Sequence, residues 1–183
     1  MNKGESKFEE KRVGSERIFE GRIISLKVDR VELPSGKVTT REVVEHSGAV
    51  AVIGFLREDR VVLVRQFRYP AGREMLEIPA GGLHPGEDPA EAAARELEEE
   101  TGFRAGKLAK IAEFYTTPGF TNEIMHLYLA EGLEGSRPNP DEDEFLEVEI
   151  WPLSEALEAA RDGRIRDGKT IAGLLLVGRA LGR

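Results

Sequence analysis

A short helix with well-defined ends, preceded by a glycine-rich loop, constrains this chain more than any other stretch. Asp88 stands where an N-cap is expected, and Pro89 suits the first helical position. Gly102 can adopt the left-handed conformation that ends a helix. The sequence therefore predicts a helix between these caps. Its expected core-facing residues are Ala90, Ala93, Ala94 and Leu97.

The opposite side of this helix carries a row of glutamates. Glu96, Glu99 and Glu100 lie at positions i, i+3 and i+4, so they share one face. Taken alone, such a face is typical of a solvated helix. Here, however, Arg95 is its only cation, and a glycine-rich loop, residues 81–86, directly precedes the helix. Carboxylates beside exposed backbone suit Mg²⁺ or Mn²⁺, with phosphate oxygens completing the shell, so we predict a divalent-metal site.

The loop and the helix together resemble a known family motif. Gly81, Glu87 and the run from Arg95 to Phe103 match the Nudix box at every defined position over 23 residues. The resemblance implies an α/β (α+β) fold, an α/β/α sandwich with a mixed sheet. It also implies hydrolysis of a nucleoside diphosphate linked to another moiety, and a salt bridge from Glu87 to Arg95 that braces the loop against the helix.

The same resemblance assigns the metal ligands. It implies that Glu96, Glu99 and Glu100 bind Mg²⁺, with Mn²⁺ or Zn²⁺ able to take its place. It further implies that the backbone carbonyl of Ala80, just before the box, is an additional ligand. Glu99 is accordingly counted among the catalytic residues as well.

A second stretch narrows the family. In ADP-ribose pyrophosphatases a proline follows the box at about the interval seen here, where Pro118 lies 15 residues after Phe103. The segments Arg41 to Val50 and Phe114 to Phe120 also resemble that subfamily, so the likeness covers roughly residues 18–178. It implies conversion of ADP-ribose and water to AMP and ribose 5-phosphate. The alternatives are another nucleotide sugar or a dinucleotide as substrate, and a Nudix-like sensor that binds ADP-ribose without hydrolysing it.

Several residues are expected to contact the substrate. Beside a pyrophosphate site, Arg68 is interpreted as a bidentate phosphate clamp, and the family resemblance places Glu77 near the substrate. Adenine is expected against apolar residues such as Ile23, with Arg41 or Glu42 contributed by the other chain of a dimer. The proline loop supplies the remaining predicted contacts, which are Pro118, Gly119 and Phe120.

The proton of the attacking water requires an acceptor that is not occupied by metal. Acidic loops are usually only solvated, but in this subfamily an acidic loop closes over the metal site, and the run from Asp141 to Glu144 lies where that loop would be. We predict Glu142 as the general base and Glu144 as an auxiliary carboxylate that also touches a metal ion. Two alternatives stay open: the two roles are reversed, or the base lies in the box.

The chain is expected to divide near residue 47. Residues 1–47 are predicted to form a small antiparallel β-sheet, and residues 48–183 the Nudix hydrolase domain. Residues 1–16 are polar and are predicted to be frayed. The strands that follow carry too few large apolar residues for a core of their own, so they must pack against the body of the protein or a second subunit. The family resemblance implies a homodimer that exchanges this sheet.

Other elements follow the apolar runs. Ala49 to Leu56 is almost continuously apolar and is typical of a buried strand, and Val61 to Val64 is its predicted hairpin partner. Ser154 is the predicted N-cap of a helix that ends near Asp162. A final apolar helix is predicted over residues 170–181.

Charge and composition restrict the partners. The 183 residues carry a formal net charge of −8 at pH 7, so a bound pyrophosphate must be neutralised locally by metal ions and a few arginines. The same charge argues against nonspecific nucleic-acid binding, which needs a basic surface. No apolar run approaches the roughly 18 residues of a membrane span, and cysteine is absent. We therefore expect a cytoplasmic protein with no nucleic-acid or membrane partner and ADP-ribose as its small-molecule substrate.

Overall fold

A computed structural model describes residues 6–57, 59–137 and 145–182. The chain separates into two compact units, one built from the residues up to Ser47 with Tyr115–Ile124, the other from Gly48–Phe114 with the residues from Met125 onward. No helix within the described ranges is both long enough and apolar enough to span a membrane.

The first unit contains a three-stranded antiparallel sheet in the order β1-β2-β3. Its strands are β1 (Lys11–Glu20), β2 (Ser25–Glu32) and β3 (Val38–Glu45). The prediction that residues 1–16 are frayed is wrong from Lys11 onward, where β1 begins pairing with β2. Backbone hydrogen bonds to β2 hold this strand, and a polar sequence gives no apolar signal of them.

The second unit is built around a seven-stranded sheet in the order β12-β5-β4-β10-β9, with β6 on β5 and β7 on β4. Its strand β10 runs parallel to β4, whereas β5 and β7 run antiparallel to it. The sheet is therefore mixed, as predicted. The elements are β4 (Ala49–Arg57), β5 (Arg60–Arg68), a 3₁₀ turn (Tyr69–Ala71), β6 (Arg73–Glu77), β7 (Ala80–Gly82), α1 (Pro89–Thr101), β8 (Phe103–Arg104), β9 (Lys107–Tyr115), β10 (Ile124–Glu131), β11 (Glu134–Gly135), β12 (Leu146–Pro152), α2 (Leu153–Asp162) and α3 (Gly168–Ala180).

Strand β4 faces two separate cores, because successive side chains of a strand point to opposite sides. Ala51 and Ile53 belong to one core, which also contains residues of α2 and α3. Val50 and Val52 belong to the other, which contains residues of α1. Helices thus cover both faces of the sheet, and the predicted α/β/α sandwich is confirmed.

The helix ends show where local signals suffice. The predicted caps of α1 are confirmed: the Asp88 side chain accepts a hydrogen bond from the Ala90 N–H at 2.8 Å, and Gly102 is left-handed with φ of 69°. Ser154 is not the N-cap of α2, because the helix already begins at Leu153, whose N–H donates to the Asp59 carbonyl at 2.8 Å. A carbonyl from another segment thus takes over the role of a side-chain cap.

Candidate functional site

Two of the glutamates of α1, Glu96 and Glu100, lie on its buried side. Glu96 and Glu100 are only 8% and 2% exposed, whereas Ala90 and Ala94 are exposed, so the predicted core-facing set is wrong at those two alanines. At helical spacing, residues 92, 96 and 100 form a row that lies directly beside Ala93 and Leu97. The buried residues of the helix are Ala92, Ala93, Glu96, Leu97, Glu100 and Thr101. Buried carboxylates are costly unless charge or hydrogen bonds compensate them.

Arg95 provides much of that compensation. Its guanidinium donates from Nε and Nη2 to the two oxygens of Glu87 at 2.9 and 3.0 Å. Its Nη1 donates to Glu96 Oε1 at 2.7 Å and to Glu99 Oε2 at 2.9 Å. The hydrogen bonds from Arg95 hold the pKa of Glu87 at about 2. One cation thus joins the loop carboxylate to two carboxylates of the helix.

The glycine loop leaves room for these carboxylates. A Cβ on Gly81 would lie 2.1 Å from the carboxylate carbon of Glu96, whereas a Cβ on Gly82 would meet nothing within 4 Å. The next carboxylate along the helix, Glu100, accepts a hydrogen bond from the Ala80 N–H at 3.0 Å. The absent side chain of Gly81 therefore leaves the space that the Glu96 carboxylate occupies, and β7 lies against the acidic side of α1.

The donor set matches a hard divalent cation. It consists only of oxygens, from the carboxylates of Glu96, Glu99 and Glu100 and from the backbone next to Gly81. Over the described ranges, no three acidic or histidine side chains converge into a ready metal site, and Glu96 and Glu99 are instead turned toward Arg95. Residue type and the space at Gly81 fit a divalent ion, so the metal ligands stay a prediction that the chemistry of the site favours.

A second charged cluster lies where β6 ends. Glu77 is 1% exposed and accepts two hydrogen bonds from Arg68, from Nε at 2.9 Å and from Nη2 at 2.8 Å. Lys169 of α3 contacts the same carboxylate. Burial raises the pKa of Glu77, but Arg68 and Lys169 outweigh it and hold the pKa below its usual value. Sequence reasoning found Arg68 and Glu77 but missed Lys169, since no local pattern links residues 92 positions apart.

The other predicted substrate contacts lie in the first unit. Ile23 is 65% exposed in the loop after β1. Arg41, on β3, pairs with Glu10 at 2.6 Å, and Glu42 is its neighbour on that strand. The proline loop reaches β3, because the Phe120 carbonyl accepts a hydrogen bond from the Val44 N–H at 2.8 Å. These residues, together with Pro118 and Gly119, stay predicted substrate contacts.

The predicted general base and its auxiliary carboxylate, Glu142 and Glu144, lie outside the described residues. Their roles therefore stay predictions.

Two family models match consecutive parts of the chain. The model of the NUDIX domain matches residues 45–174, and that of the nucleoside diphosphate sugar hydrolase N-terminal domain matches residues 10–44. The chain is 49% identical over 164 residues to the ADP-ribose pyrophosphatase of Bacillus subtilis (strain 168), covering 88% of this chain and 89% of that protein. It is 48% identical over 166 residues to the methanol dehydrogenase activator of Bacillus methanolicus, covering 90% of each.

A solved structure shares the fold. The crystal structure of an ADP compounds hydrolase superimposes with a TM-score of 0.85, covering 98% of this chain and 97% of that one at 24% sequence identity. At 24% identity, this similarity shows only that the two proteins share the fold described above.

The Glu87–Arg95 pair generates a pH-dependent prediction. In wild type the pair stabilises the fold fully above the unfolded-state pKa of Glu87, about 4.5, and this contribution is lost as the pH falls toward about 2. Glu87→Gln should therefore lower the free energy of unfolding by roughly 1–3 kcal/mol at pH 7, and the difference from wild type should shrink below about pH 4.5. Urea unfolding of both proteins from pH 7 to pH 3 measures this, and a pH-independent difference would contradict it.

Proposed function

The chain belongs to the Nudix family, and on that premise we propose that it is a divalent-metal-dependent hydrolase converting ADP-ribose and water to AMP and ribose 5-phosphate. The observation that carries this proposal is the buried acidic side of α1 beside Gly81. Glu96 and Glu100 are buried there, with Arg95 as the counter-ion of Glu96 and the Ala80 N–H as a donor to Glu100. A purely structural helix would gain little from burying two carboxylates, one of them in the space that Gly81 leaves.

Similarity supports the substrate class. The two relatives are almost equally similar, so percent identity does not choose between a pyrophosphatase and an activator of methanol dehydrogenase. The match of residues 10–44 to an N-terminal domain of nucleoside diphosphate sugar hydrolases favours a nucleotide-sugar diphosphate. ADP-ribose belongs to that chemical class and agrees with the name of the Bacillus subtilis relative.

Mg²⁺ is the proposed ion, and Mn²⁺ or Zn²⁺ are alternatives. Its proposed ligands are the Ala80 carbonyl and the carboxylates of Glu96, Glu99 and Glu100. A divalent ion bound there would neutralise the diphosphate and make the attacking water more acidic. Without it, Arg95 holds two of these carboxylates near each other and offsets their mutual repulsion. The positive charge of Arg95 thus allows Glu96 and Glu99 to lie close together when no metal ion is bound.

The substrate is proposed to be held by residues outside the box. The Arg68 side chain is 40% exposed, and its guanidinium, oriented by Glu77, is proposed to bind the diphosphate in a bidentate manner. Adenine is proposed to pack against Ile23, with Arg41 or Glu42 from a second subunit. Pro118, Gly119 and Phe120 complete the proposed set of contacts.

Substrate assays test the proposed function directly. Purified protein is incubated with ADP-ribose, other nucleotide sugars and dinucleotides, with Mg²⁺ or with a chelator. ADP-ribose should give the highest kcat/KM, AMP and ribose 5-phosphate should be the products, and the chelator should abolish turnover. If another nucleotide sugar or a dinucleotide gave a higher kcat/KM, that compound would take the place of ADP-ribose as the proposed substrate. Calorimetric binding of ADP-ribose without metal-dependent turnover would instead indicate a sensor.

Two neighbouring glycines provide a matched test of the metal site. Gly81→Ala should displace the Glu96 carboxylate, raise the Mg²⁺ concentration needed for half-maximal activity and lower kcat at least tenfold. Gly82→Ala should leave both nearly unchanged, because its Cβ would meet open space. Neither glycine has a positive φ, so neither backbone is strained by alanine. Equal effects of the two substitutions would remove the support that Gly81 gives to a metal site.

Glu142 is proposed as the general base, because carboxylates that bind metal are poor proton acceptors. General-base catalysis typically contributes about 10²–10⁴-fold, so Glu142→Gln should lower kcat by that factor and leave KM nearly unchanged. Glu144→Gln should mainly weaken the response to metal. If Glu142→Gln were fully active and Glu144→Gln inactive, the two roles would be reversed. If both variants were active, the general base would be a residue of the Nudix box.

A homodimer with an exchanged N-terminal sheet is the proposed assembly. Val31 is the only buried apolar residue among the described residues before Ser47, so this sheet has almost no core of its own. The exposed apolar residues of the sheet and its connecting segments are Phe8, Val13, Ile18, Phe19, Ile23, Ile24 and Val38. Such a set is larger than an isolated soluble sheet usually leaves in contact with water.

Light scattering tests the assembly. Wild type should be dimeric at assay concentration, and Ile18→Asp should shift it toward monomer. Ile150→Asp is the matched control. Ile150 is a similarly exposed apolar residue, but it lies on β12 of the seven-stranded sheet and not in the N-terminal sheet. A fully active wild-type monomer would contradict the proposed dimer.

A further inference from the structure

Glu77 is compensated by cations from two different elements. Arg68 ends β5 and Lys169 lies in the first turn of α3, and both contact the buried Glu77 carboxylate. Lys169 also contacts Asp167 Oδ1 at 3.0 Å. The contacts thus join two cations and two carboxylates. A third carboxylate, the buried Glu100, is near enough to act on the charge of Arg68.

The hydrogen bonds of this cluster leave part of Arg68 unused. A guanidinium carries five N–H groups, and Glu77 takes one from Nε and one from Nη2. Both N–H groups of Nη1 and one of Nη2 are not needed by Glu77. The Arg68 side chain is 40% exposed, whereas that of Lys169 is 12% exposed. Arg68 thus presents an outward edge, and Lys169 remains inside.

Lys169 is held by a turn that is locked to the strand bearing Glu77. Asp167 caps α3 by accepting the Thr170 N–H at 2.9 Å. The Thr170 hydroxyl, fully buried, contacts Asp167 as well and accepts the Ile78 N–H at 2.9 Å. Since Ile78 directly follows Glu77, the ammonium group is fixed relative to the carboxylate by short, buried connections on both sides.

Removal of Lys169 would change the charge that Arg68 experiences. The net charge around Arg68 would become more negative by one unit, and Arg68 would be left to compensate the buried Glu77 without Lys169. Both effects oppose binding of an anion at the outward edge of Arg68. The geometry therefore separates two tasks: Lys169 compensates Glu77, and Arg68 remains available to an external diphosphate.

We propose that Lys169 is a positioning residue for the reaction, which keeps the guanidinium of Arg68 available to the substrate diphosphate by acting as the second counter-ion of Glu77. This inference rests on the proposed function. It gives the N-terminal turn of α3 a role in substrate affinity, although Lys169 itself contacts only Glu77 and Asp167 among the acidic residues described.

The first test compares Lys169→Met with Lys107→Met. Lys107 forms an exposed pair with Glu131, so its loss removes the same charge elsewhere. Lys169→Met should raise KM for ADP-ribose about tenfold while kcat changes less than about twofold, and Lys107→Met should change neither. Lys169→Arg should restore most of the affinity, because it retains the positive charge. An unchanged KM in Lys169→Met would overturn the proposal.

The second test separates charge from structure. Asp167→Asn keeps an oxygen that can cap α3, and in the Lys169→Met background it restores the net charge that these groups have in wild type. The double variant should therefore have a KM close to that of wild type, although it is further from the native sequence. If Lys169 only supported the fold, the double variant would be no better than Lys169→Met, and this outcome would overturn the proposal.

A binding measurement makes the test independent of turnover. Calorimetry with ADP, which has the diphosphate of ADP-ribose without the terminal ribose, should show a dissociation constant about tenfold higher for Lys169→Met than for wild type. If wild type does not hydrolyse ADP-ribose, the proposed function fails, and the ADP measurement still decides the role of Lys169. Equal affinity of wild type and Lys169→Met for ADP would contradict that role.

Discussion

The arrangement of the site depends on the burial of two carboxylates on the inner side of α1. Glu96 and Glu100 sit in the row that would otherwise be filled by apolar side chains. This position requires the missing side chain of Gly81, the N–H of Ala80 and the guanidinium of Arg95. Gly81 provides the space, and Ala80 and Arg95 provide hydrogen bonds that offset the cost of removing the negative charges from water.

The sequence was most informative where chemistry is local. The caps of α1 follow from Asp88 and Gly102, since each acts within a few residues of its own position. The apolar run from Ala49 to Leu56 predicts the buried strand β4, and the resemblance of the box implies the mixed sandwich. The predicted core-facing set of α1 is right at Ala93 and Leu97 and wrong at Ala90 and Ala94. A small apolar residue gives only a weak preference for the core, and the row of glutamates beside it gives none.

Other features could not be found from one sequence. Strand β1 is held by its pairing with β2, and residues such as Lys11 and Arg12 carry no apolar signal. The contact between Lys169 and Glu77 joins elements that only the folded sheet brings together. The first unit shows the same limit, because Lys27 pairs with Glu45 at 2.7 Å across two strands, and a hydrogen bond from Ser15 lowers the pKa of Asp29.

The bond between Thr170 and Ile78 also bears on how the protein folds. It closes a loop of 92 residues between the end of β6 and the start of α3. Contacts of such separation form late, because the chain entropy lost in closing the loop must be offset by elements already in place. The carboxylate helix and its glycine loop are neighbours in sequence and can meet early. Arg68, the proposed phosphate ligand, reaches its final environment only once α3 has docked. Assembly of the proposed metal ligands on α1 and of the proposed phosphate site would therefore be separate events in the folding of one chain.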